Sequence, residues 1–129
     1  MKIKPIQNYF TDERPLLFKS QLKNLYKKGK LPIKYGLYGE ILTKDNVSDE
    51  HIICKCLGGT NDISNIALAS KELNNARGNQ PIGLFVTMGM LRKYLLQFKN
   101  LKLKNFDGNE YIKGIRQTFR RLVDDDNIL

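Results

Sequence analysis

The sequence has 129 residues, close to the commonest size of a single domain. Its 22 Lys and Arg outnumber 13 Asp and Glu, and the net charge of +9 favours a polyanionic partner such as nucleic acid, although an ordinary basic surface explains the charge equally well. No run of about 18 apolar residues and no signal-peptide pattern is present, so we expect an intracellular (cytoplasmic) protein without a membrane span.

The charge divides the expected single domain, residues 1–129, into three parts. Residues 1–34 carry +7, residues 35–81 carry −2 and residues 82–129 carry +4. We interpret them as a basic helical arm, a central core and a C-terminal helical part. An acidic centre between basic arms suits phosphodiester chemistry, because acids can hold a divalent cation while Lys and Arg hold a nucleic-acid backbone.

The first predicted element is a helix over about residues 12–28. Thr11 or Asp12 can cap it, Pro15 falls in its first turn and Gly29 follows its end. Three lysines recur at positions i, i+4 and i+8 along one face of this helix: Lys19, Lys23 and Lys27. This row of lysines suits binding to phosphates, and a solvated helix face explains it almost as well.

The central part predicts a strand, a long loop, a second strand and a short helix. The first strand covers residues 50–53, the turn-rich loop residues 57–62 and the second strand residues 66–69. The short helix follows a capping serine, Ser70, and ends at Gly78. Two further helices are predicted over residues 82–99 and 109–123, with a turn at Asp107-Gly108 between them.

Two cysteines, Cys54 and Cys56, are separated by one residue. This spacing suits neither a secreted disulfide framework nor a CxxC metal knuckle. We therefore predict two reduced thiols, with a CxC metal site as the alternative.

The central part resembles the HNH nucleases, also called the ββα-metal or His-Me finger family. The family pattern has an acid-His pair, an Asn in an S-N-hydrophobic context, and a His or Asn within N-x-x-K-G. The matching segments of this chain are, in order, Asp49-Glu50-His51-Ile52, Gly58-Gly59-Thr60-Asn61-Asp62, Ser64-Asn65-Ile66 and Asn74-Asn75-Ala76-Arg77-Gly78-Asn79. Asn65 follows His51 by fourteen residues and precedes Asn74 by nine, intervals similar to those of the nuclease domain that cuts the guide-paired strand in RNA-guided CRISPR effectors. The resemblance covers about residues 35–81.

This resemblance implies an α+β fold, a small ββα-metal core flanked by N-terminal and C-terminal helices, and metal-dependent hydrolysis of phosphodiester bonds in DNA. His51 would act as general base, for which an imidazole pKa near ~6.5 is suited. Glu50 and Asn74 would hold one divalent cation, Mg²⁺ or alternatively Mn²⁺, through oxygen atoms. Asn65 would tie the loop by backbone hydrogen bonds and fix the His51 ring, and Arg77 would contact a phosphate.

Many relatives also bind a structural zinc through two CxxC pairs. The four aligned positions hold other residues in this chain: Tyr35, Tyr38, Ser70 and Leu73. We therefore expect no structural zinc, and packing of the two tyrosines and Leu73 in its place. Because Glu50 stands where the family more often has Asp, Asp49 is a fallback ligand, while Asp62 serves either the turn or the surroundings of the metal.

Two alternatives stay open at this point. The chain can be a non-catalytic nucleic-acid-binding module that keeps the HNH fold, or an accessory protein whose basic helices bind another macromolecule. DNA is the expected partner, with RNA as an alternative, and the protein would be a monomer or a homodimer. Small free-standing proteins of this kind resemble nucleases of phages and mobile elements.

Overall fold

A computed structural model describes the backbone of residues 19–126 and the side chains of residues 21–122. Its helices and strands are, in order, α1 (Lys19–Lys27), β1 (Val47–His51), β2 (Ile66–Ser70), α2 (Lys71–Arg77), α3 (Met88–Leu96), β3 (Lys102–Leu103), β4 (Phe106–Asp107) and α4 (Gly108–Asp126). The mixed α+β class is thus confirmed. Within the described ranges, no helix has the length and apolar character needed to cross a membrane.

The first predicted helix is present from Lys19 onwards. Its predicted beginning at residues 12–18, with the caps Thr11 and Asp12 and with Pro15, lies outside the described residues. The side chain of Lys19 also lies outside the described residues. The helix ends at Lys27, and Gly29 follows with a positive φ of 75°, as the sequence predicted for its end.

The predicted strand–loop–strand–helix unit is confirmed. β1 and β2 pair antiparallel from Val47 opposite Ser70 to His51 opposite Ile66. The Ser70 hydroxyl accepts a hydrogen bond from the backbone N–H of Leu73, which caps α2, and the helix ends at Gly78 with a φ of 58°.

The first strand lies three residues earlier than predicted, and the loop begins before residue 53. Ile52 still donates to the backbone oxygen of Asn65, the next residue in register, but the backbone N–H and oxygen of Ile53 bond to the Asn65 side chain, so strand pairing does not continue. An apolar run alone predicted residues 50–53, but the side chain of Asn65 competes successfully for the backbone of Ile53.

β2 is the buried centre of the fold, and all five of its residues are buried. Only one edge of this strand pairs with β1, so the other edge needs partners. They are supplied by Leu37, whose N–H donates to the Leu68 oxygen at 2.9 Å, and by two tyrosines. The Tyr94 hydroxyl accepts from the Leu68 N–H at 2.9 Å, and the Tyr111 hydroxyl donates to the Ile66 oxygen at 2.6 Å. Through these two tyrosines, helices α3 and α4 are held against β2.

The C-terminal part differs from its predicted boundaries. The predicted helix 82–99 is divided into a short 3-10 turn, Ile82–Leu84, and α3, which starts after Thr87 because the Thr87 hydroxyl accepts the N–H of Met90 at 3.1 Å. The predicted turn at Asp107-Gly108 is instead the end of a β3–β4 hairpin and the start of α4.

Asp107 caps α4 rather than forming a turn. Its Oδ1 accepts the N–H groups of Asn109 at 2.9 Å and Glu110 at 3.2 Å. Burial acts to raise the pKa of the Asp107 carboxyl, but these hydrogen bonds and the neighbouring Lys102 outweigh it and hold the pKa below its usual value. An ionised aspartate at the start of α4 is also favoured by the helix dipole.

The region aligned with the zinc-binding cysteines is closed by polar contacts, not by the predicted packing. Tyr35 and Leu73 are exposed, and only Tyr38 packs against the core. The Glu40 carboxylate instead accepts the N–H of Tyr38 at 3.1 Å and that of Ser70 at 2.6 Å. Hydrogen bonds to one carboxylate thus join the two chain segments that the resemblance aligned with zinc-binding cysteines.

Candidate active site

A cleft of about 190 Å³ lies between the end of β1 and helix α2. It is lined by Glu50, His51, Cys54, Lys55, Asn74, Arg77, Gly78 and Asn79. Four residues that the sequence singled out for chemistry, Glu50, His51, Asn74 and Arg77, therefore meet at one cavity. Asn65, Lys23 and Lys27 are not among the residues that line it.

His51 is the last residue of β1 and is half-buried at the cleft. Its Nε2 lies 2.8 Å from Oδ1 of Asn61. Because an amide oxygen only accepts hydrogen bonds, Nε2 carries the hydrogen, and Nδ1 is then the ring nitrogen that can take up a proton. The sequence placed Asn61 in the motif but gave it no role, and its position in the loop was the only signal.

If His51 acts as the general base that the resemblance implies, Asn61→Ala should slow the expected strand cleavage by about 10- to 100-fold, because the imidazole remains but loses its fixed orientation. Asn61→Asp is the matched variant, since a carboxylate still accepts the Nε2 hydrogen. The added negative charge favours the imidazolium form and raises the His51 pKa. The pH at which the rate is half-maximal should therefore rise in Asn61→Asp, whereas a purely structural role of Asn61 would leave the pH–rate profile in place.

Asn65 holds the two ends of the loop together. Its Oδ1 accepts the N–H of Ile53 at 2.8 Å, and its Nδ2 donates to the oxygen of Ile53 at 3.0 Å and to that of Thr60 at 2.9 Å. These are the backbone contacts that the resemblance implied for this residue. They fix the loop between His51 and Asn61, while the effect of Asn65 on catalysis stays a prediction.

Glu50 lies on the other side of β1, facing α2, and is only 3% exposed. Its Oε1 forms an ion pair with the Arg77 guanidinium at 3.1 Å, and its Oε2 accepts a hydrogen bond from the Tyr38 hydroxyl. Burial raises the pKa of the Glu50 carboxyl, while the Tyr38 hydrogen bond and the Arg77 charge act to lower it. Tyr38 was noticed in the sequence only as a residue at a lost zinc position, and its contact with Glu50 was missed.

Arg77 lines the cleft, and its contact with a phosphate stays a prediction. Its side chain is 2% exposed. Besides the ion pair with Glu50, it donates to the backbone oxygens of His51, Ile52 and Gln80, the last two at 3.0 and 2.7 Å. The planar guanidinium therefore holds the end of β1 against α2, and Arg77 borders the cleft with these donors used within the fold.

Asn74 lines the cleft with its amide oriented by β1. Its Nδ2 donates to the backbone oxygen of Asp49 at 2.9 Å and to the Ser48 hydroxyl at 3.0 Å. With the nitrogen held there, Oδ1 is the atom of this amide that can serve a ligand. The fallback ligand Asp49 does not line the cleft, and Asp62 accepts a hydrogen bond from the Thr60 hydroxyl within the turn.

The donor atoms of the cleft fit a small hard cation in chemical type. Glu50 supplies a carboxylate and Asn74 an amide oxygen, and Mg²⁺ needs only one or two protein ligands because it keeps several waters. No group of three or more His, Cys, Asp or Glu suited to a metal occurs among the residues that the structure describes. Since Arg77 and Tyr38 already contact both Glu50 oxygens, a bound cation would share this carboxylate with the guanidinium.

Cys54 and Cys56 form a disulfide, which corrects the prediction of reduced thiols. The 3-10 turn Lys55–Leu57 brings their Cα atoms to 5.4 Å, within the usual range for a disulfide. Spacing in the sequence could not reveal this pairing, because it depends on the turn. Lys55, which the sequence analysis did not select, is exposed at the rim of the cleft.

The predicted lysine row of α1 is described at Lys23 and Lys27. Lys27 is exposed and Lys23 is half-buried, and four-residue spacing places both on one side of the helix. Contact of this row with phosphates stays a prediction.

No family model, curated protein or solved structure matches this chain. The resemblance to HNH nucleases therefore rests on the order and spacing of the motif residues. In the structure these residues lie on a strand–loop–strand–helix unit, and the expected base and metal ligands, Glu50, His51 and Asn74, line the same cleft.

Proposed function

We propose that the protein is a divalent-metal-dependent endonuclease of the HNH type that hydrolyses phosphodiester bonds in DNA. The observation that carries this proposal is the convergence of Glu50, His51 and Asn74 on one open cleft. An imidazole that can accept a proton, next to two hard oxygen donors, is the set of groups that metal-assisted phosphodiester hydrolysis requires.

In the proposed reaction His51 is the general base. Its Nδ1 takes the proton of the attacking water, and the positive charge that results strengthens the hydrogen bond from Nε2 to Asn61. Asn65 and Arg77 act on His51 through the backbone, because they hold the residues that follow it and its own carbonyl oxygen. Water adds to phosphorus and the 3′ oxygen departs, which leaves 5′-phosphate and 3′-hydroxyl ends.

Glu50 and Asn74 are the residues that would hold the cation in this mechanism. When bound there, such a cation would supply charge neutralisation at the phosphate and at the departing oxygen. Tyr38 and Arg77 keep the Glu50 carboxylate in one orientation at the cleft. One such site cuts one strand, so a single protomer nicks duplex DNA.

Lys55 replaces Arg77 as the basic residue expected to meet a phosphate at this cleft. Its side chain is exposed at the rim, whereas the donors of Arg77 are engaged in the interior. Basic residues of α1 add to the attraction for DNA, which should weaken steeply as salt is added.

Nicking of supercoiled plasmid in Mg²⁺, in Mn²⁺ and in chelator tests the proposal. We expect relaxed circles with either metal and none in chelator. Asn74→Ala should reduce the rate by about 10- to 100-fold through weaker metal binding. Asn75→Ala is the matched control, because Asn75 is an exposed amide on the same helix and does not line the cleft.

Three outcomes separate this proposal from its alternatives. Wild-type protein that binds plasmid but leaves it supercoiled in every metal would be a non-catalytic binding module. Protein that neither binds nor cuts would fit an accessory role. Equal loss of nicking in Asn74→Ala and Asn75→Ala would remove Asn74 from the proposed site.

A further inference from the structure

The disulfide between Cys54 and Cys56 lies within the candidate site. Cys54 is 5% exposed and lines the cleft together with His51, while Cys56 is exposed to solvent. Lys55 lies between them, and a neighbouring cation favours the thiolate form of a cysteine. One sulfur is thus accessible to an external thiol, and the other faces the proposed chemistry.

Stabilisation of the fold does not account for this disulfide. A cross-link stabilises mainly by removing conformational entropy from the unfolded chain, and the effect grows with the length of the closed loop. Here the two cysteines are two positions apart, so the loop is near the shortest that can be closed. The ring that the disulfide closes over residues 54–56 instead restricts the backbone conformation of this turn.

This turn is connected to His51 from both directions. The chain leaves His51, passes through Ile53, which is bonded to Asn65, and enters the disulfide ring. Beyond the ring, the N–H of Gly59 donates to the Cys54 oxygen at 3.0 Å. A Cβ on Gly59 would lie 1.8 Å from the oxygen of Ile53, so the backbones of Gly59 and Ile53 lie too close together for a side chain at residue 59. Two residues later, Asn61 accepts the hydrogen bond from the His51 ring.

We infer that the Cys54–Cys56 pair is a thiol–disulfide exchange site whose redox state sets the position of the His51 ring. The co-reactant is a low-molecular-weight thiol of the glutathione class or a protein dithiol. The inference about activity, though not about the ring, rests on the proposed nuclease function. Closing the ring fixes the turn that carries Asn61 towards His51, and opening it releases that turn.

The exchange proceeds in two balanced steps. An external thiolate attacks the exposed Sγ of Cys56, which forms a mixed disulfide and expels Cys54 as a thiolate that takes a proton. A second external thiolate then attacks the external sulfur of the mixed disulfide, and Cys56 leaves as a thiolate and is protonated. Two electrons pass to the protein, and two external thiols become one disulfide.

The redox step is measured on the full-length wild-type chain in mixtures of reduced and oxidised glutathione, with alkylation of free thiols and intact mass determination. We expect a reversible change between zero and two alkylated cysteines as the ratio is varied. In Cys54→Ser the remaining Cys56 should accumulate as a glutathione adduct, because no second thiol can displace it. Alkylation of both cysteines at every ratio of reduced to oxidised glutathione would show that no disulfide forms, and it would overturn the proposed exchange site.

The coupling is read from His51, which is the only histidine in the sequence, so its ring protons give a single identifiable set of NMR signals. We expect different ring signals in the oxidised and reduced wild type. The isosteric double variant Cys54→Ser/Cys56→Ser should give the reduced-type signals in both buffers. Ring signals that are unchanged by oxidation of the wild type would overturn the coupling, and this result needs no variant to fold.

Nicking assays in the same two states separate this inference from the proposed function. We expect the oxidised protein to nick about tenfold faster than the reduced protein, since small displacements of a catalytic base have effects of this order. Equal or slower nicking by the oxidised form would overturn the link to activity. If neither state nicks, the nuclease proposal fails, while the His51 signals still decide whether the redox state moves the ring.

Discussion

His51→Ala is expected to reduce the rate of DNA nicking by about 10²- to 10⁴-fold, the usual contribution of a positioned general base. Among the described residues that line the cleft, the imidazole is the type of group best suited to act as a general base near neutral pH. The variant should fold and bind DNA as the wild type does, because the ring is only half-buried at the cleft and lies at the end of β1. Single-turnover nicking and salt-dependent DNA binding measure the two effects separately.

His51→Gln serves as the matched control for this loss. Its amide can keep a hydrogen bond with Asn61 but does not accept a proton near neutral pH, so it should be as inactive as His51→Ala. Nicking at the wild-type rate by His51→Ala or by His51→Gln would show that another group, or hydroxide from solution, takes the proton. Loss of DNA binding in parallel with nicking would indicate damage to the fold.

The second large effect concerns stability. Arg77→Met should lower the free energy of unfolding by about 3–5 kcal/mol, the range for removing one partner of a buried ion pair. The change leaves the Glu50 carboxylate buried without its counter-ion, and it leaves the oxygens of Ile52 and Gln80 without their donor. Urea unfolding monitored by circular dichroism measures the difference.

Three further variants assign this effect to its cause. Arg92→Met removes an exposed arginine and should change stability by no more than about 0.5 kcal/mol. Arg77→Lys keeps the charge but not the fork of donors, so it should fall between wild type and Arg77→Met. The double variant Glu50→Gln/Arg77→Met should recover part of the loss, because no uncompensated charge remains. Additive effects of the two changes would show that the ion pair is not the cause.

Local signals in the sequence were sufficient for the parts of the fold that depend on local interactions. Ser70 and Gly78 bound the helix that carries Asn74, because a hydroxyl cap and a positive φ are properties of single residues. The order of strand, loop, strand and helix also followed from apolar runs separated by turn formers. The start of α3 had a local signal too, in Thr87, but the longer apolar pattern from residue 82 concealed it.

Contacts between distant segments could not be predicted in this way. Arg77 was assigned to a phosphate because its partners, the oxygens of Ile52 and His51, lie 25 and 26 residues earlier in the chain. Tyr38 reaches Glu50 across twelve residues for the same reason. Tyr38 lies outside the motif, and Arg77 lies within it at the position that the resemblance assigned to a phosphate contact. Motif matching therefore found the groups that line the cleft but not the contacts that orient them.

The central claim is that Glu50 and Asn74 hold a divalent cation beside the His51 ring. Mn²⁺ is paramagnetic and broadens the NMR signals of nearby protons, and the single histidine of this chain gives an identifiable reporter. Titration of the full-length protein with Mn²⁺ is predicted to broaden the His51 ring signals selectively, with reversal by chelator and loss of the effect in Glu50→Gln/Asn74→Ala. Ring signals that stay sharp while Mn²⁺ supports nicking, or equal broadening in the double variant, would contradict the account.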